Sequence, residues 1–126
     1  MLIWHEALIP YLPKNELIQL HKTICNFRGE GWGQKNSEVD YIFKYPYMWL
    51  VEYHIRVIQA LYKKGYIVDP LWLNEKYRGK NCENWKFIPE PCAFYQEYIY
   101  PEHNEKCLEQ HIEILKKKNI FMNMEG

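Results

Sequence analysis

Three stretches of the chain carry apolar side chains at helical spacing. From Pro13 to Arg28, Leu17, Leu20, Ile24 and Phe27 recur every three or four residues, and Gln19, Lys22, Thr23 and Asn26 share the polar face. Gly29 follows where a left-handed C-cap is expected. Pro46 to Lys64 reads as the central and most buried helix. Its broad stripe is Leu50, Val51, His54, Ile55, Ile58, Leu61 and Tyr62, and it ends in Lys63, Lys64 and a stopping Gly65. A last helix runs from near Pro101 to about Lys118, with Leu108, Ile112 and Leu115 inward. Asp69-Pro70 predicts an N-cap and first helical residue, opening a short helix towards Tyr77. Val39 to Phe43 is strand-like, and residues 78 to 100 read as a long irregular loop rich in aromatics. The expected fold is mainly α: one compact domain over residues 1–126, with three long helices, short helices and long aromatic-rich loops.

Composition sharpens this picture at a few points. A chain of 126 residues with 48% hydrophobic content can bury a core and has room for one domain. No apolar run approaches the roughly 20 residues that cross a bilayer. The opening residues, with His5 and Glu6 already present, do not form a signal peptide, so the expected location is the cytoplasm. Sixteen basic residues balance sixteen acidic ones, so attraction to nucleic acid would need a local basic face rather than global charge. Lys63, Lys64, Lys76, Arg78 and Lys80 outnumber Asp69 and Glu75 locally, either tracking phosphates or forming a solvated helix end. Aromatic residues reach 17%, which suits a core filled with rings and also suits stacking on bases. Cys25, Cys82, Cys92 and Cys107 form no CxxC pair and read as reduced thiols.

Three groupings could carry chemistry. His103, Cys107 and His111 lie at i, i+4 and i+8, and His21 with Cys25 repeats the spacing, as metal-binding pairs do; the alternative is a packing face. His5 beside Glu6 could relay protons, although neighbours on an extended segment point to opposite sides; otherwise Trp4 simply docks this segment onto the core. Gly29, Gly31 and Gly33 surround Trp32 and let backbone approach closely, without the spacing of a phosphate-binding loop.

The segments WHEALIPYLP, LIQLHKTICNFRGEGWGQKN, VDYIFKYPY, KKGYIVDP, YRGKNC and YPEHNE, in that order, resemble the pyrimidine-dimer DNA glycosylase (endonuclease V type) family, in particular its small bacterial relatives. The resemblance spans nearly the whole chain. It implies a compact α-helical repair enzyme without metal or other cofactor, acting on double-stranded DNA that is damaged or abasic, with no membrane or obligate protein partner. The terminal α-amine, here on Met1, would attack C1′, form a Schiff base, and cut the strand by β-elimination. The resemblance implies Met1 as nucleophile, Thr23 at the helix-carboxylate position and Lys22 and Asn26 at the arginine positions beside it, with Arg28 remaining for phosphate. Glu6 or Glu102 substitutes for the carboxylate if the fold brings it near the terminus, and His5 is a candidate through its pairing with Glu6. Lys35, Arg78 and Lys80 are the further candidates for DNA contact. This sequence departs from the family where a carboxylate stands on the first helix: it has Thr23, and the nearest acids along the chain are Glu16 and Glu30. Leu2 is too bulky for ordinary removal of Met1. Two other readings stay open: a non-catalytic nucleic-acid-binding relative that lost the helix carboxylate, and a metal-dependent enzyme built on the histidines and cysteines.

Overall fold

The structure is a computed structural model, and it describes residues 2–34, 39–87 and 98–120. Its three long helices are α1 (Lys14–Arg28), α2 (Tyr47–Lys63) and α3 (Glu105–Lys117). Short 3₁₀ turns cover Glu6–Tyr11, Asp40–Lys44 and Pro70–Leu73. Among the described residues there is no strand, and no helix is long and apolar enough to cross a membrane. The mainly α architecture therefore stands.

The core forms where α1 packs on α2. Leu17, Leu20, Ile24 and Phe27 are buried on α1, and Leu50, Val51, Tyr53, Val57, Ile58 and Leu61 on α2. The buried face of α2 is rotated slightly from the stripe read in the sequence: Tyr53 and Val57 are inside, and Tyr62 is exposed. The first residues of the chain complete this core, with Ile3, Trp4, Leu8, Ile9 and Leu12 all buried. Trp4 does dock the terminal segment, and Tyr53 donates its hydroxyl hydrogen to the Trp4 carbonyl at 2.5 Å.

Two local expectations change. Val39 to Phe43 contains no strand; Asp40 opens a 3₁₀ turn that buries Ile42. Gly29 is no left-handed cap, since its φ is −98°. Glycine is required there for another reason: an added Cβ would lie 2.6 Å from the Arg78 carbonyl oxygen. Gly65, in contrast, does stop α2 with φ +81°. Asp69 caps its turn by accepting from the Leu71 amide, and Asn104 caps α3 by accepting from the Cys107 amide.

Candidate active site

Two buried polar centres flank the core, and the sequence motifs divide between them. The first gathers around Arg28, the final residue of α1, whose side chain is fully buried. Nε donates to the Tyr47 hydroxyl at 3.1 Å. Nη1 donates to the Trp72 carbonyl at 2.7 Å and to His54 Nδ1 at 3.0 Å. Nη2 donates to the carbonyls of Asn74 at 2.9 Å and Tyr77 at 3.1 Å. All five N–H groups of the guanidinium are thus satisfied. Arg28 was expected on DNA; the structure corrects this, because a fully buried guanidinium with every donor engaged has nothing left for a phosphate. Arg78 is also committed to structure. It donates to the carbonyls of Arg28 and Gly29 at 2.9 Å each, and its guanidinium lies 4.4 Å from the centre of the Trp85 ring.

Arg28 also settles the nearby histidines. Because its Nη1 is a donor, His54 Nδ1 must accept, so His54 carries its hydrogen on Nε2 and donates to His21 Nδ1 at 2.8 Å. His21, Cys25 and His54 are close enough to surround an ion, with ligand atoms within 4.8 Å of one another. A metal on His54 Nε2 would force the hydrogen onto Nδ1, facing an arginine donor, so the centre does not fit a metal. Burial, reinforced by the Arg28 charge, holds His54 well below the ordinary histidine pKa, and burial lowers His21 too. Burial also pushes the Cys25 thiol up to about 12, so without a metal it is a thiol at neutral pH.

The second centre joins the two ends of the chain. His5 is the N-cap of the first 3₁₀ turn, its Nδ1 accepting from the Ala7 amide at 3.0 Å, and its own amide donates to His111 Nδ1 on α3 at 2.9 Å. Glu6 follows, and its buried carboxylate accepts from the Ile99 amide at 2.6 Å and faces His103 Nδ1 at 3.1 Å. His103 Nε2 in turn meets the Tyr41 hydroxyl at 2.7 Å. Both His103 nitrogens are occupied, so His103 does not join Cys107 and His111 in a metal site; Cys107 Sγ faces the His111 ring, 3.6 Å from Nε2 and 3.8 Å from Nδ1. Burial, with His103 and His5 nearby, lowers His111 to about 4, and burial lowers His5 as well.

This centre opens outward. Leu2, Ile3, Val39, Tyr41, Glu102, Cys107, His111 and Lys117 line a cleft of about 600 Å³ beside α3. On the other side of Leu2, a groove of about 480 Å³ between α1 and α3 is lined by Glu16, Gln19, Thr23, Ile114 and Lys118. The expected site residues fall as follows. Thr23 and Glu102 lie on these two openings, and Tyr45 donates to the Glu102 carboxylate at 2.9 Å while stacking on Trp49. Glu6 is turned inward, with a side chain 1% exposed, and His5 is buried. Lys22, Asn26 and Lys80 are exposed. Met1 and Lys35 lie outside the described residues. Sequence reasoning did not assign Tyr41, or Lys118, whose Nζ lies 3.1 Å from Glu16 Oε1 in the groove.

Three long helices with a groove and a cleft on either side of Leu2 define a small α-helical protein. The sequence profile of the family described as pyrimidine dimer DNA glycosylase matches residues 1–74, more than half of the chain, and the protein belongs to that family. Its function is accordingly of the DNA glycosylase repair type, with DNA as substrate. No curated protein and no solved structure matches the chain.

Proposed function

We propose that this protein is a DNA glycosylase with abasic-site lyase activity, and that the α-amine of Met1 is its nucleophile. The observation that carries this reading is the position of Leu2. The residue next to the proposed nucleophile lines both openings beside α3, with Glu16 and Thr23 on one side and Glu102 on the other. An α-amine with pKa near 7.7–8.0 is roughly a quarter unprotonated at pH 7.4, against about one in a thousand for lysine. It can attack C1′ of a damaged or abasic nucleotide without a buried base to activate it.

Thr23 has neither charge nor useful basicity at neutral pH. Glu16, two turns earlier on the same helix, lines the same groove and can supply the negative charge that stabilises a sugar cation. Its partner Lys118 extends a basic edge formed with Lys117 at the end of α3, and exposed Lys22 and Asn26 flank Thr23 on α1. These groups suit the phosphates of double-stranded DNA held across the groove.

Borohydride trapping on duplex DNA containing one abasic site tests this reading. A covalent protein–DNA adduct is expected, and an uncleaved extension before Met1 should abolish it. DNA binding with no adduct would instead favour the non-catalytic relative that Thr23 suggests. An adduct that survives the extension would reject the terminal amine.

A further inference from the structure

We propose that Tyr41 is a catalytic residue that takes up the proton lost in strand cleavage, working through His103 and Glu6. This assignment rests on the lyase reading above and adds to it the group that the Thr23 position lacks. Tyr41 stands on the cleft that also holds Leu2 and Ile3, whereas His103 and Glu6 lie behind it, 1% and 5% exposed. Glu6 accepts the Ile99 amide through Oε1, and Oε2 faces His103 Nδ1; with the ring hydrogen on Nδ1, the Nε2 lone pair meets the Tyr41 hydroxyl. In that arrangement the phenol hydrogen points inward to His103, and in the proposed step the lone pairs of the oxygen take the substrate proton.

Carboxylate, imidazole and hydroxyl in this order form a proton path with one open end. Once the amine has condensed with C1′, the iminium acidifies the C2′ hydrogen. Tyr41 oxygen accepts that proton as its own passes to His103 Nε2, leaving an imidazolium beside the Glu6 carboxylate. The C2′–H electron pair first forms C1′=C2′, neutralising the iminium to an enamine. The nitrogen lone pair then restores C1′=N, the C1′=C2′ pair shifts to C2′=C3′, and the C3′–O bond breaks with its electrons on the departing phosphate. No oxidant, metal or further reactant is needed. Burial raises the pKa of the Tyr41 phenol, which keeps its hydrogen in place at neutral pH until the substrate proton arrives.

Single-turnover assays on abasic-site duplex separate this step from the amine chemistry. Tyr41→Phe keeps the ring that packs on Tyr100 and His103. It should slow strand cleavage about 100-fold or more while borohydride still captures the adduct. Glu6→Gln, which can still accept the Ile99 amide, would present an N–H to His103 Nδ1, reverse the hydrogen order of the path, and give the same split. Cleavage at the wild-type rate in Tyr41→Phe overturns the assignment. Parallel loss of adduct and cleavage in folded variants also overturns it, because the residues would then only shape the cleft. Absence of adduct with the wild-type chain overturns the amine reading first, and this assignment with it.

Discussion

The two polar centres are built from similar parts and differ in how their hydrogen bonds end. Each holds buried histidines and one buried charged side chain, and each joins segments far apart in sequence. Around Arg28 every donor terminates, on three carbonyls, a hydroxyl and a ring nitrogen, and the direction of donation continues inward through His54 to His21. Around Glu6 the sequence runs from a carboxylate through His103 to a tyrosine on an open cleft. The first centre is a knot that fixes α1, α2 and residues 72–77 together. The second is a path with an exit. Burial of a polar cluster therefore says little about catalysis until its terminus is known.

The largest effect that would separate the two centres is on stability. Arg28→Met strands three carbonyls and His54, and should lower unfolding free energy by about 3–5 kcal/mol in urea titrations, whereas Tyr41→Phe should cost about 1 kcal/mol or less. Equal losses would erase the distinction between knot and path. Next is acid. His5, His21, His54 and His111 are all held below the ordinary histidine value, so each binds a proton more readily when unfolded. Their contribution is complete above pH 6.5 and falls away as pH drops towards about 4, the value for His111. His111 alone should account for about 2–3 kcal/mol between pH 7 and 4.5, read from urea midpoints at both values, and His111→Gln should flatten part of that slope.

Two smaller effects sharpen the contrast. Asn104→Ala removes the cap of the helix that carries His111 and should cost about 1 kcal/mol, with a matching fall in cleavage but no change in the Arg28 centre. Aromatic near-ultraviolet circular dichroism at temperatures below melting checks that separation. Equimolar zinc should leave the melting temperature unchanged, since Arg28 keeps the hydrogen on the His54 nitrogen that a metal would need. A rise in melting temperature would mean that the knot can open.

The helices were legible in the sequence because their apolar residues repeat with the period of the structure they form. Lys14–Arg28 and Tyr47–Lys63 fall within a residue of the ends that Pro13, Arg28, Pro46 and Lys64 suggested. Asp40–Lys44 was misread because alternation over five residues cannot separate a strand from a tight turn that buries a single isoleucine. Arg28 was misplaced for a different reason. Most of its partners are backbone carbonyls at 72, 74 and 77, and a carbonyl leaves no mark in a sequence. The path from Glu6 to Tyr41 was hidden because its members come from three separate segments, and only the fold sets their order. His5 and Glu6 are adjacent in sequence, but their hydrogen bonds run to separate partners, His5 to His111 and Glu6 to Ile99 and His103.

The amide of residue 5 is held by a ring at residue 111, so the first and last helical segments share one clasp. The surroundings of the opening residues therefore exist only once residues 99 to 111 have folded back onto them, because the Ile99 amide, the His103 ring and the His111 ring all close on His5 and Glu6. A break in either segment should loosen both.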